Sequence, residues 1–210
     1  TGAAYILRIF ISNTGGVDQV GLYSAGFAII NTYVGMVFTA MGTDYYPRLS
    51  SVAADNTKAT QTINQQAEIT LLVLAPILVI FMVFINWAVI FLYSKQFTGI
   101  NGMIQWAALG MYFKAASWSI GFILLAKGAS KLFFWNELIT NIYLLGFNIL
   151  GYKYGGLDGL GISFLAAYFV YLVQVFFLSR IKYNFSLGKN FIKIFTIQVV
   201  LGVLGFLIVK

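Results

Sequence analysis

ITLLVLAPILVIFMVFINWAVIFLYS, residues 69–94, runs without a single charged side chain. A helix that crosses the roughly 30 Å hydrocarbon core of a bilayer needs about 20 consecutive, mostly apolar residues, and this run exceeds that. Residues 19–43 and 159–179 are likewise uncharged. Three further runs are interrupted or short. Residues 102–126 carry Lys114 near their middle, 132–152 carry Glu137 near their start, and 194–209 stop just before Lys210. Residues 3–12 are apolar but too few to cross. The runs are long and lack the alternation of barrel strands, so helices are expected. The fold class that follows is all-α: a polytopic membrane helix bundle of about six full spans plus one partial span.

Composition agrees. Of 210 residues, 60% are hydrophobic and 18% aromatic, while 9% are charged, against about 25% in soluble domains. Mean hydropathy is +0.86. Nineteen charges (13 Lys+Arg, 6 Asp+Glu) cannot cover a core of this size, which excludes a soluble globular protein, and disorder requires low hydrophobicity. With no His and no Cys, zinc sites, iron–sulfur clusters, thiol nucleophiles and disulfides are excluded. The carboxylates are scattered without paired spacing for acid–base work, and GYKYGGLDGLG lacks the Lys-Ser/Thr of a phosphate-cradling loop. It reads as a tight interhelical turn. No enzymatic activity, cofactor or metal is expected. The chain opens at Thr1 without a signal peptide, as a segment of a longer protein would.

Lys and Arg positions set the orientation. The second, fourth and sixth connections hold Arg48, Lys58, Lys127, Lys131, Arg180, Lys182, Lys189 and Lys193; the first, third and fifth hold only Lys95 and Lys153. The even connections are therefore assigned to the cytoplasm, and Lys210 falls at the outer end of the last span. The net charge of +7 thereby belongs to topology and calls for no nucleic-acid partner. Tyr45, Tyr46, Trp87, Tyr93, Trp135, Tyr152 and Tyr154 lie near span ends, where aromatic rings favour the interface. In the long connection, 43–68, Pro47 should end the preceding helix. The polar stretch from about Ser51 should wind into a surface helix leading into the next span. It serves either as a solvated linker or as a cytoplasmic gate, for which Asp44 and Arg48 are the candidates.

Charge at membrane depth is costly, so such residues face protein interior or water-filled cavities. Arg8 and Lys114 are the two basic candidates. Lys114 shares a helical face with Gly110, Ser117 and Gly121, and snorkelling from mid-span is strained. Glu137, Asn141 and Asn148 form a second stripe, and Ser24, Ala28, Asn31 and Gly35 a third. These stripes fit either helix–helix contacts or a hydrated substrate surface.

VGLYSAGFAIINTYVGMVFTAMGTDYYPRLS (20–50), LLAKGASK (124–131) and YGGLDGLGISFLAAYF (154–169) together resemble bacterial oligosaccharide and O-antigen flippases of the multidrug/oligosaccharidyl-lipid/polysaccharide exporter superfamily. The likeness runs over nearly the whole chain, with the motifs in the family's order. It implies a transporter of twelve to fourteen spans in two six-helix lobes around a central cavity. Residues 1–179 would be the second lobe, its first helix truncated, and 180–210 a cytoplasmic turn and an additional span. It further implies alternating-access movement of an undecaprenyl-diphosphate-linked oligosaccharide across the bacterial cytoplasmic (inner) membrane. The partners would be that lipid-linked sugar, the surrounding membrane lipid and the first lobe of the same protein. Arg8 and Lys114, with Asn31, Glu137, Asn141 and Asn148, are the expected cavity residues. The alternatives are a cation-coupled multidrug exporter of the same superfamily and a membrane-embedded polysaccharide polymerase.

Overall fold

The computed structural model describes residues 2–209, and within them every regular element is helical. Lys210 lies outside the described residues. Helix α1 (Gly2–Gly15) is followed by α2 (Val17–Ser51), which opens into one wide π turn at Ile30–Val34. Then come α3 (Asn56–Leu92), a 3-10 turn at Lys95–Ile100 and α4 (Asn101–Ala126). Ser130–Tyr183 is helical on both sides of Gly156; at ~1.5 Å per residue a straight helix of that length would run roughly 80 Å, far beyond a bilayer. It reverses instead at Gly156, whose φ of 57° and ψ of −136° suit glycine alone. The halves are α5 (130–155) and α6 (157–183), and α7 (Lys189–Val209) closes the chain. Five helices are long and apolar enough to cross a membrane. Divided at Gly156 they supply six helices of crossing length among the described residues, and the 14-residue α1 is the short partial one, as the charge-free runs indicate.

The helix ends overrun those runs in both directions. Asp55 caps α3, its carboxylate accepting from the backbone N–H of Thr57 at 2.8 Å and of Lys58 at 3.2 Å. The polar stretch 56–68 is thereby helical and joined to the span, as anticipated. Pro47 does not end α2; the helix continues to Ser51. An interior proline costs about 3 kcal/mol, and tertiary anchoring offsets this. Tyr45 donates to the Ser119 carbonyl at 2.5 Å, Arg48 Nη2 donates to Gln66 Oε1 at 2.6 Å, and Leu49 is fully buried. Tyr45 is therefore a core residue and not an interfacial ring.

The Asp55 cap carries a pH expectation. Hydrogen bonds from the Lys58 and Thr57 amides hold its carboxyl below the ordinary carboxylate value. The cap is complete above that ordinary value and is lost as pH falls through the depressed one. Asp55→Ala at neutral pH should therefore reproduce the acid effect, speeding amide exchange over 56–60 while leaving α4 protected.

Packing gathers the connections into two ends. Lys127 Nζ reaches Asn56 Oδ1 at 2.5 Å, and Asn64 holds the 184–188 turn through Ser186 O at 3.0 Å and Gly188 N at 2.8 Å. The second, fourth and sixth connections thus meet at one end, which carries the eight basic residues. At the other, Asp158 lies against Gly102, and Asn101 donates to Asn86 at 2.9 Å. α4 is the central helix: 67% of its most apolar window is buried, against 17–39% for the others. Phe84, Trp87, Phe91, Leu207 and Ile208 point outward, as lipid-facing residues do.

Candidate functional site

Glycines let α4 and α6 approach closely. A side chain at Gly110 would meet the backbone of Leu165 at 3.0 Å, and one at Gly121 would meet the Tyr171 hydroxyl at 3.4 Å. Lys114 lies on this same face of α4, twelve residues from its C-terminal end, in the gap between those contacts. Its ammonium stands over three rings: 5.2 Å from the centroid of Tyr168, 5.7 Å from Phe164 and 5.8 Å from Phe38. Among the described residues it has neither an ion-pair partner nor a hydrogen-bond acceptor. Each ring contact contributes about 0.5–2 kcal/mol, while desolvating an ammonium costs several. Lys114 is a cation whose counter-charge the described residues do not supply.

Lys114 lines two cavities. The first, about 270 Å³, is lined by Lys114, Trp118, Glu137, Thr140, Tyr168 and Tyr171 among others. The second, about 330 Å³, brings Lys114 together with Asn31, Asn141, Asn148, Tyr23 and Tyr168, with Leu7 of α1 at its edge. Four of the expected cavity residues thus share one chamber, and Glu137 joins Lys114 in the other. Glu137 makes no ion pair with Lys114. Its carboxylate accepts instead from the Tyr171 hydroxyl at 2.8 Å and from Asn136 Nδ2 at 3.1 Å. Gln174 Nε2 extends the network to Asn136 Oδ1 at 2.8 Å and Thr140 Oγ1 at 3.3 Å, a polar seam between α5 and α6.

The remaining candidates lie elsewhere. Arg8 is exposed on α1 and lines neither cavity. Asn31 is exposed as a residue yet reaches the second cavity from the π turn of α2. Such turns re-aim side chains and recur at functional sites. Asp44 and Arg48 form an ion pair at 3.9 Å on the basic end of α2, ten residues and about 15 Å of helix from Phe38. Sequence reasoning missed the three rings under Lys114 and the residues Asn136, Tyr171 and Gln174. Asn136, Glu137 and Thr140 share a helical spacing that could have drawn attention to the seam.

Residues 2–102, just under half of the chain, match the model of a family described as polysaccharide biosynthesis protein. No curated protein and no solved structure matches the chain. A multi-pass helical membrane bundle with this match is coherent with a role in polysaccharide biosynthesis. Over residues 2–102 the chain is similar to the proteins that this polysaccharide biosynthesis family groups together.

Proposed function

We propose that the protein moves a lipid-linked oligosaccharide across the bacterial cytoplasmic membrane by alternating access, as the second lobe of a two-lobe transporter. The single observation that carries this reading is Lys114, a mid-span cation that lines two cavities and finds no counter-charge among the described residues. A diphosphate supplies the missing charge and accepts strong charge-assisted hydrogen bonds. The amides of Asn31, Asn141 and Asn148 suit sugar hydroxyls, and the faces of Phe164 and Tyr168 suit the apolar side of a pyranose. The undecaprenyl tail would remain in the surrounding lipid.

The even connections, by the bias of Lys and Arg, face the cytoplasm in this reading. The Asp44–Arg48 pair then lies at the cytoplasmic mouth, as a gate would. Cells deprived of the protein should keep making lipid-linked repeat units but lose surface polysaccharide, with dye efflux unchanged. Lost dye efflux with normal surface polysaccharide would favour the drug-exporter alternative.

A further inference from the structure

Tyr168 lines both of the cavities that Lys114 lines, and its ring makes the shortest of the three contacts to the ammonium. The other phenols of the α5–α6 seam spend their hydroxyls inside the protein. Tyr171 donates to Glu137 at 2.8 Å, and Tyr143 donates to Thr140 Oγ1 at 3.5 Å. The Tyr168 hydroxyl has no hydrogen-bond partner among the described residues. Nor is it sealed. Among the described residues, the enclosed side-chain oxygens and nitrogens that lack a partner are Asn101 Oδ1, Asn148 Oδ1 and Ser179 Oγ. The Tyr168 hydroxyl and the Lys114 ammonium, unpartnered as well, therefore keep surface that a ligand can reach. Their placement is firm, because the Tyr168 ring packs 4.6 Å from Phe164 one turn before it and 6.2 Å from Tyr171 one turn after.

We propose that the Tyr168 hydroxyl is the second donor of an anion site in the second cavity, where it and the Lys114 ammonium bind oxygens of one phosphate. The ammonium stands over the face of the ring and the hydroxyl projects from its edge, so the two donors are neighbours. A phosphate carries several acceptor oxygens on one phosphorus and can answer both at once. A phenol O–H donated to a charged oxygen is a short, charge-assisted hydrogen bond. Charge chooses between the cavities: the first holds the Glu137 carboxylate, whereas no acidic side chain lines the second. Tyr168 thus has two tasks on separate atoms. Its ring face accommodates the ammonium, and its hydroxyl binds the anion. This rests on the flippase reading in one respect only, that Lys114 binds a phosphate.

Tyr168→Phe removes the oxygen and keeps the ring, so the cage around Lys114 survives. The test is calorimetric titration of the purified two-lobe transporter with glucose 1-phosphate, with thermal midpoints measured beside it. Tyr168→Phe should weaken binding at least about tenfold, the worth of a hydrogen bond to a charged group, at a midpoint no lower than that of the wild type. Lys114→Gln should weaken binding as well. Tyr171→Phe, which takes a donor from Glu137, should lower the midpoint and leave the affinity unchanged. Wild-type affinity in Tyr168→Phe, a loss that Tyr171→Phe matches, or a loss that comes with a lowered midpoint overturns the role of this hydroxyl. If Lys114→Gln still weakens binding in that case, the transport reading stands. Wild-type binding that is absent, or that Lys114→Gln does not alter, overturns the anion site and with it this inference.

Discussion

Lys114→Gln is expected to lower the rate of lipid-linked saccharide transport about 10- to 100-fold without lowering the amount of folded protein. The range follows from a hydrogen bond to a charged group, worth about 1.5–3 kcal/mol, at about 1.4 kcal/mol per tenfold. Stability should hold because glutamine keeps most of the length while removing a charge that only the rings of Phe38, Phe164 and Tyr168 accommodate. Lys114→Arg should recover part of the activity at most. Its planar guanidinium carries the charge but is broader than an ammonium and presents its donors as a flat fork. Initial rates in reconstituted vesicles, with thermal midpoints measured beside them, check this. A fall in rate matched by a fall in midpoint would mean that Lys114 is structural.

The second large effect concerns the α5–α6 hairpin. A Cβ at Gly159 would overlap the Gly151 carbonyl oxygen, and one at Gly151 would overlap the Ser163 hydroxyl and the Gly159 carbonyl. Ser163 Oγ lies 2.7 Å from both the Phe147 and Gly159 carbonyls, so the two helices touch through backbone and one hydroxyl. Backbone cannot step aside as a flexible side chain can. Gly159→Ala should therefore destabilise the protein by about 1–3 kcal/mol, the usual cost of overpacking a close contact. Gly146→Ala on α5 meets nothing within 4 Å; it should be neutral or slightly stabilising, since alanine is the better helix residue. Thermal midpoints of the two variants separate the contact from a general intolerance to alanine. Equal midpoints would remove the close approach from the explanation of the hairpin.

Much of this fold is written in where charge is missing. Lipid penalises charge so heavily that six crossings and the short first helix stand out as gaps between Lys and Arg residues. The grouping of connections at two ends, as seen in Lys127–Asn56 and Asn64–Gly188, repeats the split that the basic residues indicate. Helix ends are less legible, because hydropathy marks the bilayer and not the backbone. α3 begins thirteen residues before the uncharged run, at a cap that only Asp55 signals. Pro47 misleads because its local cost is offset by Tyr45, Arg48 and Leu49, whose partners lie on other helices.

The site divides along the same line. Polar residues are so scarce in the spans that Lys114, Asn31, Asn141 and Asn148 can be singled out one by one, and the fold brings them to one chamber. Arg8 is singled out by the same logic and proves exposed on α1. The rings that hold Lys114 leave no trace in the sequence. With 20 Phe and 13 Tyr in the chain, nothing separates Phe38, Phe164 and Tyr168 from rings that face lipid until the helices are packed.

Transport itself is best measured with both lobes present, as purified two-lobe transporter in vesicles carrying a fluorescent undecaprenyl-diphosphate-linked saccharide, using a membrane-impermeant quencher to count molecules in each leaflet. The expected result is protein-dependent equilibration between leaflets that Lys114→Gln slows by at least about tenfold. Equilibration no faster than in protein-free vesicles, or equally fast with Lys114→Gln, would contradict a flippase that works through this cation.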